Sequence, residues 1–147
     1  MNKTVKIAKV GQEALPYPAD LFDIVFSKSF VEHLENPMPY FGEAKRVLKP
    51  GGILITMVPD WESCYKIYFD DVTHKTPFTA VTLEDCYRMV GLANIHIEKF
   101  RQLPLVWRFP IVNLLCGLIS PLVPPRTKGN FLRWSRELML LGVASKG

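Results

Sequence analysis

Several things this 147-residue chain has little of narrow what it can be. It holds only three cysteines, Cys64, Cys86 and Cys116, far apart and without a C-x-x-C pair. That spacing suggests neither a zinc-thiolate site nor a disulfide framework, and it leaves reduced, cytoplasmic thiols as the plain expectation. No run of Lys or Arg exceeds two residues, so the net charge of +4 is scattered rather than gathered into a track. No nucleic acid partner is expected from it. The amino-terminal MNKTVKIAKV has no long apolar core after its lysines, which argues against an ordinary secretory signal. The longest charge-free run, Phe109 to Pro125, carries four prolines and falls short of the roughly 20 apolar residues that cross a bilayer. No internal repeat or low-complexity tract occurs. What the chain does have is apolar substance, 48% hydrophobic residues with nine Phe and twelve Pro, at a length that suits a single domain with a real core.

The stretch from Phe22 to Asp60 organises the rest. Phe22, Ile24, Val25 and Phe26 form a short apolar run without helical spacing, as a buried strand does. Asn36 offers an N-cap oxygen, Pro37 suits the first helical position, and Phe41, Ala44, Val47 and Leu48 recur on one helical face. Pro50, Gly51 and Gly52 are expected to stop that helix, and Ile53 to Val58 to return as a second buried strand. Parallel strands joined by a helix predict a layered α/β domain. Upstream, Val5 to Val10 reads as an edge strand with lysines between its apolar residues. Downstream, the aromatic spacing of Trp61 to Asp71 predicts a short helix, and Thr82 followed by Glu84 and Asp85 has the form of a capping box opening a packing helix that Gly91 ends. Ile95 and Ile97 alternate with His96 and Glu98 in a half-exposed strand, which makes His96 a solvent-facing residue. Glu137 to Ala144 is nearly continuous apolar, as in a strand with neighbours on both sides.

Together these strings carry a family resemblance. FDIV, then EHL-x-NP, then RVLKPGG running into ILITMVPD, is similar to the second half of a class I S-adenosylmethionine-dependent methyltransferase domain of the type 11 subgroup. LPYP, Leu15 to Pro18, resembles the segment ahead of that strand, DDVTHKTPFT the substrate-side loop of members in sugar and cell-envelope pathways, and RELMLLGVASKG the closing antiparallel strand. The resemblance implies a partial Rossmann-like α/β sheet with strands equivalent to the third through seventh, the seventh lying antiparallel between the fifth and sixth. It makes 1–147 one truncated domain in which 103–130 is an apolar insertion. It also marks a departure. The glycine-rich turn and the acidic residue that hold the cofactor's methionine and ribose in this family have no counterpart here, no G-x-G occurs, and Gly11 stands where an aspartate would meet the adenine.

By resemblance, the chain is expected to be an S-adenosylmethionine-dependent methyltransferase acting on a small or glycan-linked acceptor in sugar or cell-envelope biosynthesis. The rival expectation is a non-catalytic remnant or one half of a split enzyme that binds a partner. The end of the first strand places Ser27, Ser29 and Phe30 against the cofactor, S-adenosylmethionine. Asp60, Trp61, Asp71 and Phe78 frame the acceptor, and His74 and His33 are the candidate bases, since imidazole titrates near neutrality. Asp23 is expected to cap or orient backbone at the strand's mouth. Asp70, Asp71 and His74 arrive together and could hold a divalent metal, but a substrate-side role for His74 is preferred and no metal is expected. The insertion could be a cap over the site, a segment at a membrane surface, or a dimer face, with Arg126, Lys128, Arg133 and Arg136 suited to lipid phosphates in the second case. A cytoplasmic protein, peripheral to the membrane in that case, and either a homo-oligomer or a complementing chain are the expected settings.

Overall fold

The structure is a computed structural model that describes residues 9, 11, 13–127 and 129–147. The strand expected at Val5–Val10 lies outside the described residues, Lys9 apart. The βαβ unit forms as predicted: β1 spans Phe22–Lys28, α1 Met38–Val47 and β2 Leu48–Pro59. Asn36 Oδ1 accepts the Met38 N–H at 3.1 Å, so it satisfies an otherwise orphaned donor, although Pro37 rather than Asn36 holds the N-cap position. The helix ends at Val47, three residues before the Pro-Gly-Gly expected to stop it. Those residues already belong to β2 and meet the chain's last residues, the Gly51 N–H donating to Lys146 O and the Lys146 N–H to Gly52 O. Gly51, at φ +76°, supplies the left-handed backbone that this entry into the sheet requires.

Four strands form one sheet in the order β1-β2-β4-β3, where β3 is Ala93–Arg101 and β4 Leu138–Ser145. β1 and β2 run parallel, with Ile24 opposite Ile53 and Phe26 opposite Ile55. β4 lies antiparallel between β2 and β3, pairing Thr56 with Gly142 on one side and Ile97 with the same glycine on the other. That is the inserted last strand the resemblance implied. His96 is exposed, as its alternation with Ile95 and Ile97 predicted.

Two other elements differ from expectation. The segment 61–71 is not one helix: α2 covers only Trp61–Cys64, and a separate 3-10 turn spans Tyr68–Asp70. Cys64 and Tyr68 are buried while Tyr65 and Phe69 face outward, and the helical run breaks at Ile67, whose backbone lies at φ −130° and ψ 0°. α3 spans Ala80–Met89 and is capped by Thr79, whose Oγ1 accepts the Thr82 N–H while Thr82 Oγ1 accepts the Thr79 N–H. Thr82 is thus the third helical residue of the box rather than its cap.

α1 and α3 cover one face of the sheet, where Phe41, Ala44, Leu54, Leu83, Tyr87 and Leu140 are fully buried. Packing there is close enough that a Cβ on Gly142 would sit 2.8 Å from the Tyr87 hydroxyl, which donates to the Gly142 carbonyl. Between β3 and β4 the chain inserts α4 (Pro104–Arg108), α5 (Pro110–Ile119) and α6 (Asn130–Arg136). Leu103, Val106 and Cys116 make a small core of their own, while most of α5's apolar side chains are exposed. Among the described residues, no helix is long and apolar enough to cross a membrane.

Candidate functional site

A cavity of about 840 Å³ opens beyond the carboxyl ends of β1 and β2, the end at which parallel α/β sheets bind ligands. Immediately after β1, Ser29 takes a left-handed φ of +48°, and its N–H donates to Met57 O, which turns the chain sharply out of the sheet. A 3-10 turn, Val31–His33, follows. The loop after the Tyr68–Asp70 turn is bound to it: the Lys75 and Thr76 N–H groups both donate to Glu32 O at 2.8 and 3.0 Å, and Thr76 Oγ1 donates to Leu34 O at 2.6 Å. Two loops 40 residues apart in sequence are thereby fixed side by side.

This docking brings His33 and His74 together, with ring centroids 5.0 Å apart. The neighbours of each ring fix which nitrogen carries the proton. His74 Nδ1 lies 2.8 Å from the Tyr68 carbonyl, which can only accept, so Nδ1 carries a proton; in the neutral ring Nε2 keeps its lone pair, 3.7 Å from Asp71 Oδ2. Thr73 Oγ1 donates its hydrogen to Asp71 Oδ1 at 2.6 Å and therefore accepts from His33 Nδ1 at 2.9 Å. His33 Nε2 is likewise left with a lone pair. Glu32 completes the group. Its side chain is 1% exposed, Oε1 lies 4.0 Å from His33 Nε2, and Oε2 has no hydrogen-bond partner among the described residues. Ligand atoms of Glu32, His33 and His74 all lie within 4.8 Å of one another.

Charge around the cavity is uneven. Burial raises the Glu32 carboxyl above the usual range, whereas the Thr73 hydroxyl and N–H hold Asp71 below it. Arg126, from the far end of the insertion, binds Asp70 through two hydrogen bonds of 2.9 and 3.0 Å and lowers that carboxyl too. Burial pushes the Cys64 thiol up to about 12 and raises Tyr68, so neither lining residue offers an anionic nucleophile at neutral pH.

Of the residues expected at the site, His33, His74, Ser29 and Asp71 line this cavity. Ser27 and Phe30 line a second cleft of about 340 Å³ with Leu15, Val25, Phe26 and Tyr40, at the edge of β1 away from β2. The remaining three stand elsewhere. Asp60 is buried with Oδ2 3.2 Å from Lys99 Nζ. Trp61 leans on Tyr65. Phe78 is packed in the core, bridging to Asp60, and reaches neither cavity. Asp23 is exposed and pairs with Lys49 at 2.7 Å, an ion pair rather than the backbone cap expected of it. The sequence pointed to no site role for Glu32 or Thr73, and it offered Arg126 to lipid phosphates rather than to Asp70. Glu32 stands beside His33 in the EH pair and could have been found there; nothing local marks Thr73 or Arg126, because their partners come from distant loops.

The sheet order, with its inserted antiparallel last strand and a site beyond the ends of the two parallel strands, defines a methyltransferase-type Rossmann-like domain. Residues 2–56 match the model of the family described as "Methyltransferase domain". An uncharacterised protein of Methanocaldococcus jannaschii is 32% identical over 77 residues, covering 52% of this chain and 38% of that protein. A ubiquinone biosynthesis O-methyltransferase of Cereibacter sphaeroides is 35% identical over 52 residues, covering 35% of this chain and 21% of the enzyme. Among solved structures, a SAM-dependent methyltransferase from Archaeoglobus fulgidus superposes with a TM-score of 0.60 at 20% identity, covering 88% of this chain and 62% of that one. The chain thus has the fold of S-adenosylmethionine-dependent methyltransferases, and its residues 2–56 are similar to the methyltransferase domain family. It spans between about a fifth and two fifths of the length of these curated relatives.

Proposed function

We propose that the chain supplies the acceptor side of an S-adenosylmethionine-dependent methyltransferase that acts on a hydroxyl or amine of a small or glycan-linked acceptor in sugar or cell-envelope biosynthesis. The observation that carries this reading is the pair of imidazole Nε2 lone pairs held toward a cavity at the carboxyl ends of two parallel strands. The adjoining cleft suits part of the donor. Phe30 and Tyr40, edge to face at 5.4 Å, offer aromatic surface to a planar base or a sulfonium, and Ser27 offers a hydroxyl; among the described residues no carboxylate lines that cleft to take ribose hydroxyls. When bound, the donor supplies an electrophilic methyl group. Ser27 and Phe30 hold it from the β1 side, and Ser29 stands between the two cavities. His74, its Nδ1–H fixed on Tyr68 O, takes the acceptor's proton on Nε2, with His33 beside it to orient the acceptor. Asp71 orients His33 through Thr73, and Asp60 and Trp61 stiffen the strand end behind the cavity.

Transfer of a labelled methyl group from S-adenosylmethionine to hydroxyl and amine acceptors, glycan-linked ones included, tests this. His74→Ala is expected to lower the rate roughly 100-fold. Transfer to none of the acceptors, or an unaffected variant, counts against the proposal.

A second contact is favoured by the exposed apolar side of the insertion, where Trp107, Phe109, Ile111, Leu114 and Leu118 face outward beside Arg108. Such a surface suits peripheral contact with an anionic membrane. Flotation with anionic vesicles should carry the chain upward, and Ile111→Asp with Leu114→Asp should abolish it. The open face of the sheet described below equally suits a second copy or a complementing chain.

A further inference from the structure

We propose that Glu32, His33 and His74 bind one divalent cation, zinc(II) being representative, through a carboxylate oxygen and two imidazole Nε2 atoms. Two imidazoles and a carboxylate are a donor set suited to borderline metals, and three protein ligands leave a coordination position open to the cavity, as catalytic rather than structural sites do. The surroundings are built for ligation. Each histidine gives its Nδ1–H to an oxygen, His74 to the Tyr68 carbonyl and His33 to Thr73, itself held by Asp71, the arrangement that fixes metal-binding imidazoles with Nε2 forward. A separate observation points to the missing charge: Glu32 Oε2 is buried, polar and without a partner among the described residues, beside two nitrogen lone pairs. An electron-rich trio of that kind calls for a positive centre.

The trio lies within 4.8 Å, whereas ligands around a tetrahedral zinc with bonds of about 2.1 Å are roughly 3.4 Å apart, so closure asks for side-chain rotation of about an ångström. His33 and His74 line the open cavity and have room to make it. Asp70, which the sequence had placed with a metal alternative, is instead held by Arg126. An acceptor hydroxyl at the open position would lose its proton to water more readily, with the histidines serving as ligands instead of bases. Only that consequence rests on the methyltransferase reading; cation binding does not.

The test is titration of the chelator-treated full chain with cobalt(II), followed by visible absorption, and with zinc(II), followed by calorimetry, in the absence of methyl donor. One cation per chain is expected, with absorption diagnostic of imidazole-ligated cobalt. His33→Ala and His74→Ala should each weaken binding at least about 10-fold and Thr73→Ala by a smaller factor, while His96→Ala on the sheet's far side changes nothing. Glu32→Gln should weaken it similarly; if that buried variant fails to fold, the two histidine variants decide. No binding, or equal binding by wild type and both histidine variants, overturns the site. Because no methyl donor is present, failure to bind the cation overturns this inference and leaves the proposed function standing.

Discussion

The two faces of the sheet are made of the same kinds of residue and meet opposite fates. On β2, Leu54 and Val58 are fully buried under α1 and α3, while Ile53, one residue out of phase, faces the other way. In register with it on β1 stand Ile24 and Phe26, each 57% exposed, and Val143 and Leu141 of β4 continue the row through Ile55 and Met57. Strand alternation alone cannot separate these faces, since both are apolar. The difference lies in which face the described residues cover, and the sequence says so only indirectly: a strand apolar on both sides is written for cover on both sides. The site sits at the end of this sheet, where bonds between its two loops, rather than either face, hold His33 beside His74.

Substitutions can break that comparison in order of size. Phe41→Ala, deep under the covered face against Tyr40 and Tyr87, should cost about 3–5 kcal/mol in denaturant unfolding. Gly142→Ala forces a methyl against the Tyr87 hydroxyl and should cost about 1–3 kcal/mol, a loss that Tyr87→Phe in the same chain partly relieves. Thr79→Ala removes the α3 cap and should cost about 1 kcal/mol.

On the outer side of α1, the Arg46 guanidinium holds the Glu43 carboxyl below the usual range. The folded chain therefore keeps this group ionised to lower pH than the unfolded chain does. Its contribution is present above the unfolded value of about 4.5 and is lost as pH falls through the folded one. Melting midpoints between about pH 5 and pH 3 should fall less steeply for Glu43→Gln than for wild type.

Smallest of all, Ile24→Thr on the open face should change stability by less than about 0.5 kcal/mol and reduce any self-association seen by sedimentation. A loss above about 2 kcal/mol would show instead that this face is covered in solution.

How much of this was legible from the residues follows the same division. The βαβ unit, the half-exposed β3 and the place of β4 could be read, because periodicity and punctuation are local and the family strings fall on them. The helix end at Val47 could not, because Pro-Gly-Gly signals a break without saying that sheet pairing with Lys146 would claim the residues first. Similarly, the 61–71 aromatics have helical spacing, yet the backbone leaves the helix at Ile67, a break that their spacing does not signal. At the site, His33 and His74 were singled out one by one from their neighbours in sequence. Their meeting was not, since it depends on Glu32 O accepting two N–H groups from the later loop, a contact with no local sequence sign. Phe78 was read as pocket lining from its loop and is core, because its backbone bridge to Asp60 turns it inward.

The most direct measurement is the backbone amide NMR spectrum of the chain during titration with S-adenosylhomocysteine, the product form of the donor. The account predicts that shifts concentrate at residues 27–33, around the end of β1, and leave α5 unmoved. A spectrum that does not change, or changes only along Pro110–Ile119, would contradict it.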